Sequence, residues 1–207
     1  RNYYQRCLDP NVFGRENQKE IFNDIENQVS DESRQRSKEL KRLDELPKGT
    51  SPEDFYHTRG RNRILDGDYL SGISDLNKVI EQYPNYPKIS FAYTTRGYAK
   101  AKLGNRSGSI FDSTKALIHN PTYVIAYVNR GIQKFKGGDY TGTISDMNEA
   151  IKIDPNRITA YRYLADAKYQ SGDVEGACSD WQKVSELGDK LITKWLSEKG
   201  KSICASN

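Results

Sequence analysis

A phrase built on Tyr, Arg and Gly returns along this chain at a nearly constant interval, and the interval limits the fold before any single residue is considered. It reads YHTRGRNRILDGDY from Tyr56, YTTRGYAKAKLGNR from Tyr93, YVNRGIQKFKGGDY from Tyr127 and YRYLADAKYQSGDV from Tyr161, with start points 37, 34 and 34 residues apart. A period near 34 residues marks a two-helix unit that buries its apolar face only by stacking on its neighbours. The fold class predicted is all-α, an α-solenoid of four helix pairs, rather than an enzyme core.

The pairs are placed at 52–66 with 69–82, 89–103 with 106–119, 122–136 with 140–153, and 157–171 with 174–187. Small residues recur where paired backbones must approach: Gly60, Gly97, Gly131 and Ala165 in the first helices, then Gly72, Ser109, Thr143 and Ala177 in the second. Glycine inside a helix costs about 1 kcal/mol against alanine, so its return at one repeat position implies close packing. Within each pair, Gly67-Asp68, Gly104-Asn105, Gly138-Asp139 and Gly172-Asp173 read as a left-handed helix end followed by an N-cap. Val79, Ala116, Ala150 and Val184 fall where a second helix should touch the next unit. The three extra residues between the first two repeats lie in Pro84-Asn85-Tyr86-Pro87-Lys88-Ile89.

Residues 1–50 read as an N-terminal arm and one or two charged helices, with Ile21, Ile25 and Val29 on a thin apolar stripe. Ser51-Pro52-Glu53-Asp54 starts the first repeat helix: a capping hydroxyl, a pre-set φ and two acids at the positive end of the dipole. A C-terminal capping helix, about 189–200, precedes a tail to 207. The repeat units themselves are expected over 51–86, 87–121, 122–155 and 156–188. The chain opens at Arg1 rather than Met, which implies an upstream segment removed as a leader or a vector remnant.

With 32 basic and 28 acidic residues the net charge is only +4, and no dense basic stripe argues for a nucleic-acid partner. No apolar run reaches the 18 or so residues of a membrane span.

Through Tyr56, Gly60, Gly67, Tyr69, Ile73, Asp75 and Pro84 and their equivalents, the chain resembles the tetratricopeptide-repeat (TPR) proteins, in the bacterial and organellar subtype with Tyr-x-x-Arg-Gly followed by Gly-Asp-Tyr-x-x-x-Ile-x-Asp. The fourth repeat departs from the pattern at Ala165, Val174 and Asp189. Its ending, from Ala177 through Gly188 with a terminal Cys204, is similar to the closing repeats of cyanobacterial TPR proteins. The resemblance implies a non-enzymatic scaffold or adaptor for protein–protein interaction, plausible roles being assembly of a larger complex, a photosynthetic one included, or service to pilus and secretion systems. A permanent structural subunit held through the N-terminal arm is the alternative.

No catalytic residue, cofactor or metal site is assigned. His57 and His119 lie in different repeats without ligand-spaced partners, and Gly104 to Gly108 lacks the Lys-Ser/Thr of a phosphate loop. Asp75, Asp112, Asp146 and Asp180 recur once per repeat, a packing period; Arg59, Arg96 and Arg130 are expected to meet the first three. The clamp with which TPR co-chaperones hold a carboxylate terminus is matched only by Asn129, since His57, Arg61, Thr95 and Ile125 occupy its other places.

TPR stacking implies a concave groove lined by Phe91, Thr94 and Tyr98, by Ile125, Val128, Asn129, Ile132 and Phe135, and by Arg162 and Tyr169 at a more polar end. An apolar centre within a polar rim suits an amphipathic helix or hydrophobic peptide. Three occupants stay open here: an external partner, the chain's own residues 15–46, or simple core packing. Cys178 and Cys204 are the candidate disulfide, since the last helix is long enough to fold back over the fourth repeat. The bridge would imply an extracytoplasmic compartment, lumenal or periplasmic, and two free thiols a cytoplasmic one.

Overall fold

The computed structural model describes residues 46–204; the N-terminal arm and charged helices expected before residue 46, with their Ile21, Ile25 and Val29 stripe, lie outside the described residues. Four helix pairs follow one another: α1 (Pro52–Leu65) with α2 (Tyr69–Gln82), α3 (Ile89–Lys102) with α4 (Arg106–His119), α5 (Val124–Lys136) with α6 (Tyr140–Ile153), and α7 (Ile158–Gln170) with α8 (Val174–Glu186). A short α9 (Lys190–Trp195), a π-helical turn (Leu196–Gly200) and α10 (Lys201–Cys204) close the chain, so Cys204 sits in helix rather than in a tail. The described residues divide into two compact units, a first ending at Asn129 and a second beginning at Arg130.

Local chemistry explains the helix ends. Ser51 caps α1 through Asp54 N–H, with Pro52 in the first turn. The side chains of Asp68, Asn105, Asp139 and Asp173 each accept a backbone N–H from the first turn of α2, α4, α6 and α8. The preceding glycines hold φ between +81° and +89°, a region costly for any residue with a Cβ. Gly188-Asp189 repeats the device a fifth time, Asp189 capping α9.

The paired backbones approach as the small residues require. A Cβ on Gly60 would lie 3.0 Å from Asp75 Cβ, and one on Gly97 3.1 Å from Asp112 Cβ. That closeness delivers three aspartates to three arginines. Arg59 and Asp75 are 2.7 Å apart, Arg96 and Asp112 2.7 Å, and Arg130 and Asp146 2.6 Å, all as two-pronged contacts within their own repeats. A second cation, unforeseen from sequence, completes each site: Arg63, Lys100 and Lys134 lie 2.9 Å from the same carboxylates. The signal was present in the basic residue four positions after each arginine, one helical turn along the same face.

The first unit's core gathers Ile64, Leu76, Val79, Tyr86, Ile89, Ala92 and Ala99. In the second unit, Ala165, Ala177, Trp181, Val184, Ile192 and Trp195 form another, with Trp181 and Trp195 ring centroids 4.9 Å apart at 68°. A Cβ on Gly200 would strike the Trp195 ring at 2.9 Å, which accounts for glycine at the end of the π-helical turn. Cys178 and Cys204 are bridged, their Cα atoms 5.6 Å apart, tying α10 to α8.

Candidate partner-binding site

The inner positions of the first helices divide by how much surface they keep. Thr94, Ile125, Val128, Asn129, Ile132 and Arg162 are buried, while Phe91, Tyr98, Phe135 and Tyr169 keep part of their surface. Thr94 at 0% and Val128 at 1% exposure have no area to offer a ligand, and the Thr94 hydroxyl donates to Ser90 O within its own helix. Asn129, the sole match to the carboxylate clamp, is buried too.

In the first unit Phe91 adjoins a polar and aromatic cluster raised by the long linker. Residues 83–88 join α2 to α3, against 120–123 between α4 and α5. The added length carries Tyr86 inward, where its hydroxyl donates to Asp54 Oδ1 at 2.6 Å; Lys88 Nζ donates to the same oxygen at 3.1 Å. His57 Nδ1 stands 3.2 Å from the Tyr86 oxygen. Since the single phenolic proton serves Asp54, the imidazole carries its own proton on Nδ1 and donates it to Tyr86. Burial, with Lys88 and Arg61 adding to it, pushes the His57 pKa down to about 3, so the ring is neutral. The Tyr86 hydrogen bond, ahead of Lys88 and Ser51, holds Asp54 below the usual carboxylate range.

Phe91 and Tyr86 flank the His57 ring at 5.2 and 5.4 Å, and Phe91 faces Tyr123 at 6.3 Å. Linker and aromatics line an open cavity of 520 Å³, formed by residues 84–91 with His119, Asn120 and Tyr123. That volume is of the size that takes a side chain or short peptide segment. Of the groove residues expected from sequence, Phe91 alone lines this cavity; Tyr86, Lys88 and Tyr123 were not foreseen, and the lengthened linker with its Tyr between two prolines was the available sign.

In the second unit Arg162 donates to Asp189, the residue that caps α9. Asp166 accepts from Trp181 Nε1 at 3.0 Å, yet burial outweighs that bond and the Arg162 charge and pushes its pKa up to about 7. Tyr169 packs on Trp181 at 5.6 Å and Phe135 on Tyr163 at 5.5 Å. Among the described residues no three His, Cys, Asp or Glu side chains group as metal ligands, and no helix is long and apolar enough to cross a membrane.

Compared with solved structures, the chain is similar to the MamA protein at 20% identity and a TM-score of 0.60, over 71% of this chain and 76% of that one. YrrB, described as a TPR protein with an unusual peptide-binding site, aligns at 14% identity and a TM-score of 0.62 over 70% of this chain and 74% of its own. This is the tetratricopeptide-repeat fold. The first TPR of Spaghetti (RPAP3), solved with the HSP90 peptide SRMEEVD, aligns at 22% identity and a TM-score of 0.52 over 55% of this chain and 92% of its own. No protein-family model matches the sequence. Comparison with curated proteins gives no match either.

Proposed function

We propose that this chain is a non-enzymatic TPR scaffold that binds a protein or peptide partner through the first helices of its repeats, with assembly of a larger complex as its role. The observation that carries the reading is the aromatic cavity beside Phe91. It is set on a fold whose similar structures include one with a bound peptide and one with a described peptide-binding site. Of the groove residues expected from sequence, Phe91 and Tyr98 in the first unit have surface to give. A hydrophobic or amphipathic segment fits them, because Asp54, Tyr86 and His57 Nδ1 nearby are already engaged with one another, with His57 Nε2 buried and without a hydrogen-bond partner among the described residues. The co-chaperone type of carboxylate clamp is disfavoured, with Ile125 and Asn129 both buried. The Cys178–Cys204 bridge supports an oxidising compartment.

The test is substitution at the accessible positions only. Phe91→Asp and Tyr98→Asp, each checked for an unchanged helical content, should release a partner that co-purifies with the full chain. A partner retained by both variants at parental yield would move the site elsewhere.

A further inference from the structure

The cavity beside Phe91 is lined by groups that ask for a particular kind of chain. No carboxylate lines it. Asn120 Oδ1 accepts from the Thr122 N–H at 3.1 Å and from its hydroxyl at 2.9 Å, which fixes the amide and leaves both Nδ2 hydrogens without a partner among the described residues. Lys88 gives one of its three ammonium hydrogens to Asp54 Oδ1 and keeps the others, on a side chain that is 62% exposed. The Tyr86 oxygen has nothing left to give, its proton serving Asp54. Beside these donors Phe91 and Tyr123 keep part of their surface, with ring centroids 6.3 Å apart and planes tilted by 31°. The site thus pairs unused donors with an aromatic wall.

Those two properties discriminate among the forms in which a peptide can be presented. A helix consumes its own carbonyls and would leave Asn120 and Lys88 facing no acceptor. An extended strand brings an N–H for every carbonyl and docks on a sheet edge, whereas the described residues hold helices and no strand. Nor is the cavity a basic site for a carboxylate, since Asp54 at 3.1 Å already matches the Lys88 charge. A polyproline II segment has no internal hydrogen bonds, so its carbonyls are free to accept, and each proline lacks the N–H that would otherwise want an acceptor. Its rings pack on aromatic side chains, and its pre-set backbone lowers the cost of ordering.

We infer that this cavity receives a proline-containing segment of a protein partner in the polyproline II conformation, an assignment that rests on the site proposed above and narrows its ligand. The proline rings lie against Phe91 and Tyr123, and the segment's carbonyls accept from Asn120 Nδ2 and Lys88 Nζ.

The full chain is titrated with a labelled, end-blocked peptide of repeated Pro-Pro-Leu units, and with the same peptide bearing Ala for Pro, which keeps the leucines but favours a helix. The proline peptide should bind about tenfold more tightly, the effect of one good hydrogen bond, and should shift the backbone amide resonances of Phe91, Asn120 and Tyr123. Asn120→Asp keeps the oxygen that Thr122 bonds and removes the donor. It should weaken the proline peptide about tenfold without moving the melting temperature. Phe91→Ala is the second variant if that one misfolds. Tyr98→Asp, on the same helix but outside the cavity lining, should leave peptide binding unchanged. Equal affinity of the parent for both peptides, or of parent and Asn120→Asp for the proline peptide, overturns the inference, and so does tighter binding of an acidic, proline-free peptide. Release of the co-purifying partner by Phe91→Asp and Tyr98→Asp without selective proline binding overturns this ligand class alone. A partner retained by both moves the site above elsewhere, while selective, Asn120-dependent proline binding still assigns the cavity its ligand.

Discussion

Gly60, Gly97 and Gly131 each sit beside an arginine and against an aspartate whose side chain is at most 2% exposed; repeat four has Ala165, Leu164 and an Asp180 at 13% instead. These changes go together for a physical reason. Without a Cβ at the crossing point the two helices close on the aspartate and desolvate it, and a desolvated carboxylate must be paired or the fold suffers. With Ala165 in place the carboxylate keeps more surface, yet Lys168 at 2.6 Å does not offset its burial, which pushes the Asp180 pKa up. Repeat four then draws its cohesion from Trp181 on Trp195 and from the disulfide. One helix-pair geometry thus rests on two different sets of interactions.

Putting repeat four's leucine into repeat two should have the largest effect. Arg96→Leu leaves buried Asp112 with Lys100 alone and also removes the Arg96 bond to Asn77. A loss of about 3–5 kcal/mol is expected from chemical denaturation, as for other half-dismantled buried pairs. Adding Asp112→Asn should recover part of it. An unchanged denaturation midpoint for the single variant would show the ion pairs to be without structural weight.

Next comes the bridge on the other side of the comparison. Cys178→Ser opens a link across 26 residues and should cost about 2–4 kcal/mol. Of the three cysteines in the sequence, one should react in the denatured, unreduced protein; three reactive thiols would remove the cross-link from the account of repeat four.

The crossing residue itself is a smaller lever. Gly97→Ala should destabilise by about 1–3 kcal/mol through overpacking on Asp112, whereas Ala165→Gly should lose only about 1 kcal/mol of helix propensity. Equal costs for the two would mean that backbone distance does not distinguish the repeats.

Helix pairs, turns and the arginine–aspartate contacts were legible in the sequence because each recurs, and recurrence at 34 residues separates a structural requirement from chance. What was illegible recurs less, or depends on exposure. Exposed Phe111 and Ile118 look in sequence like more core, and buried Ile125 and Val128 like groove, because an apolar residue at helical spacing does not announce which side of the helix is covered. Tyr86 occurs once, in the linker that breaks the period, so no second copy pointed to its bond with Asp54. The second cations did recur; their role required knowing that the aspartate between the helices is within reach of both turns.

The two units differ last in how they answer to pH, and here the expected effect is smallest. His57, neutral with a pKa near 3 against 6.5 unfolded, binds fewer protons when folded, so its contribution is present above pH 6.5 and declines as pH falls toward 3. Asp166, raised to about 7 from 3.8, does the reverse: the folded state holds a proton that the unfolded state has released, so stability rises as pH falls from 7 toward 3.8. Between pH 6.5 and 3.8 the two slopes oppose each other and partly cancel in the parent. Asp166→Asn keeps an oxygen for Trp181 Nε1 and removes one slope. The variant should be more stable than the parent at pH 8, on the order of 1 kcal/mol given the surface Asp166 retains. It should also lose stability more steeply on acidification across that window. Melting curves at pH 8, 6 and 4.5 decide the matter, and a parent and variant with parallel profiles would mean that Asp166 is ionised in the folded chain at neutral pH.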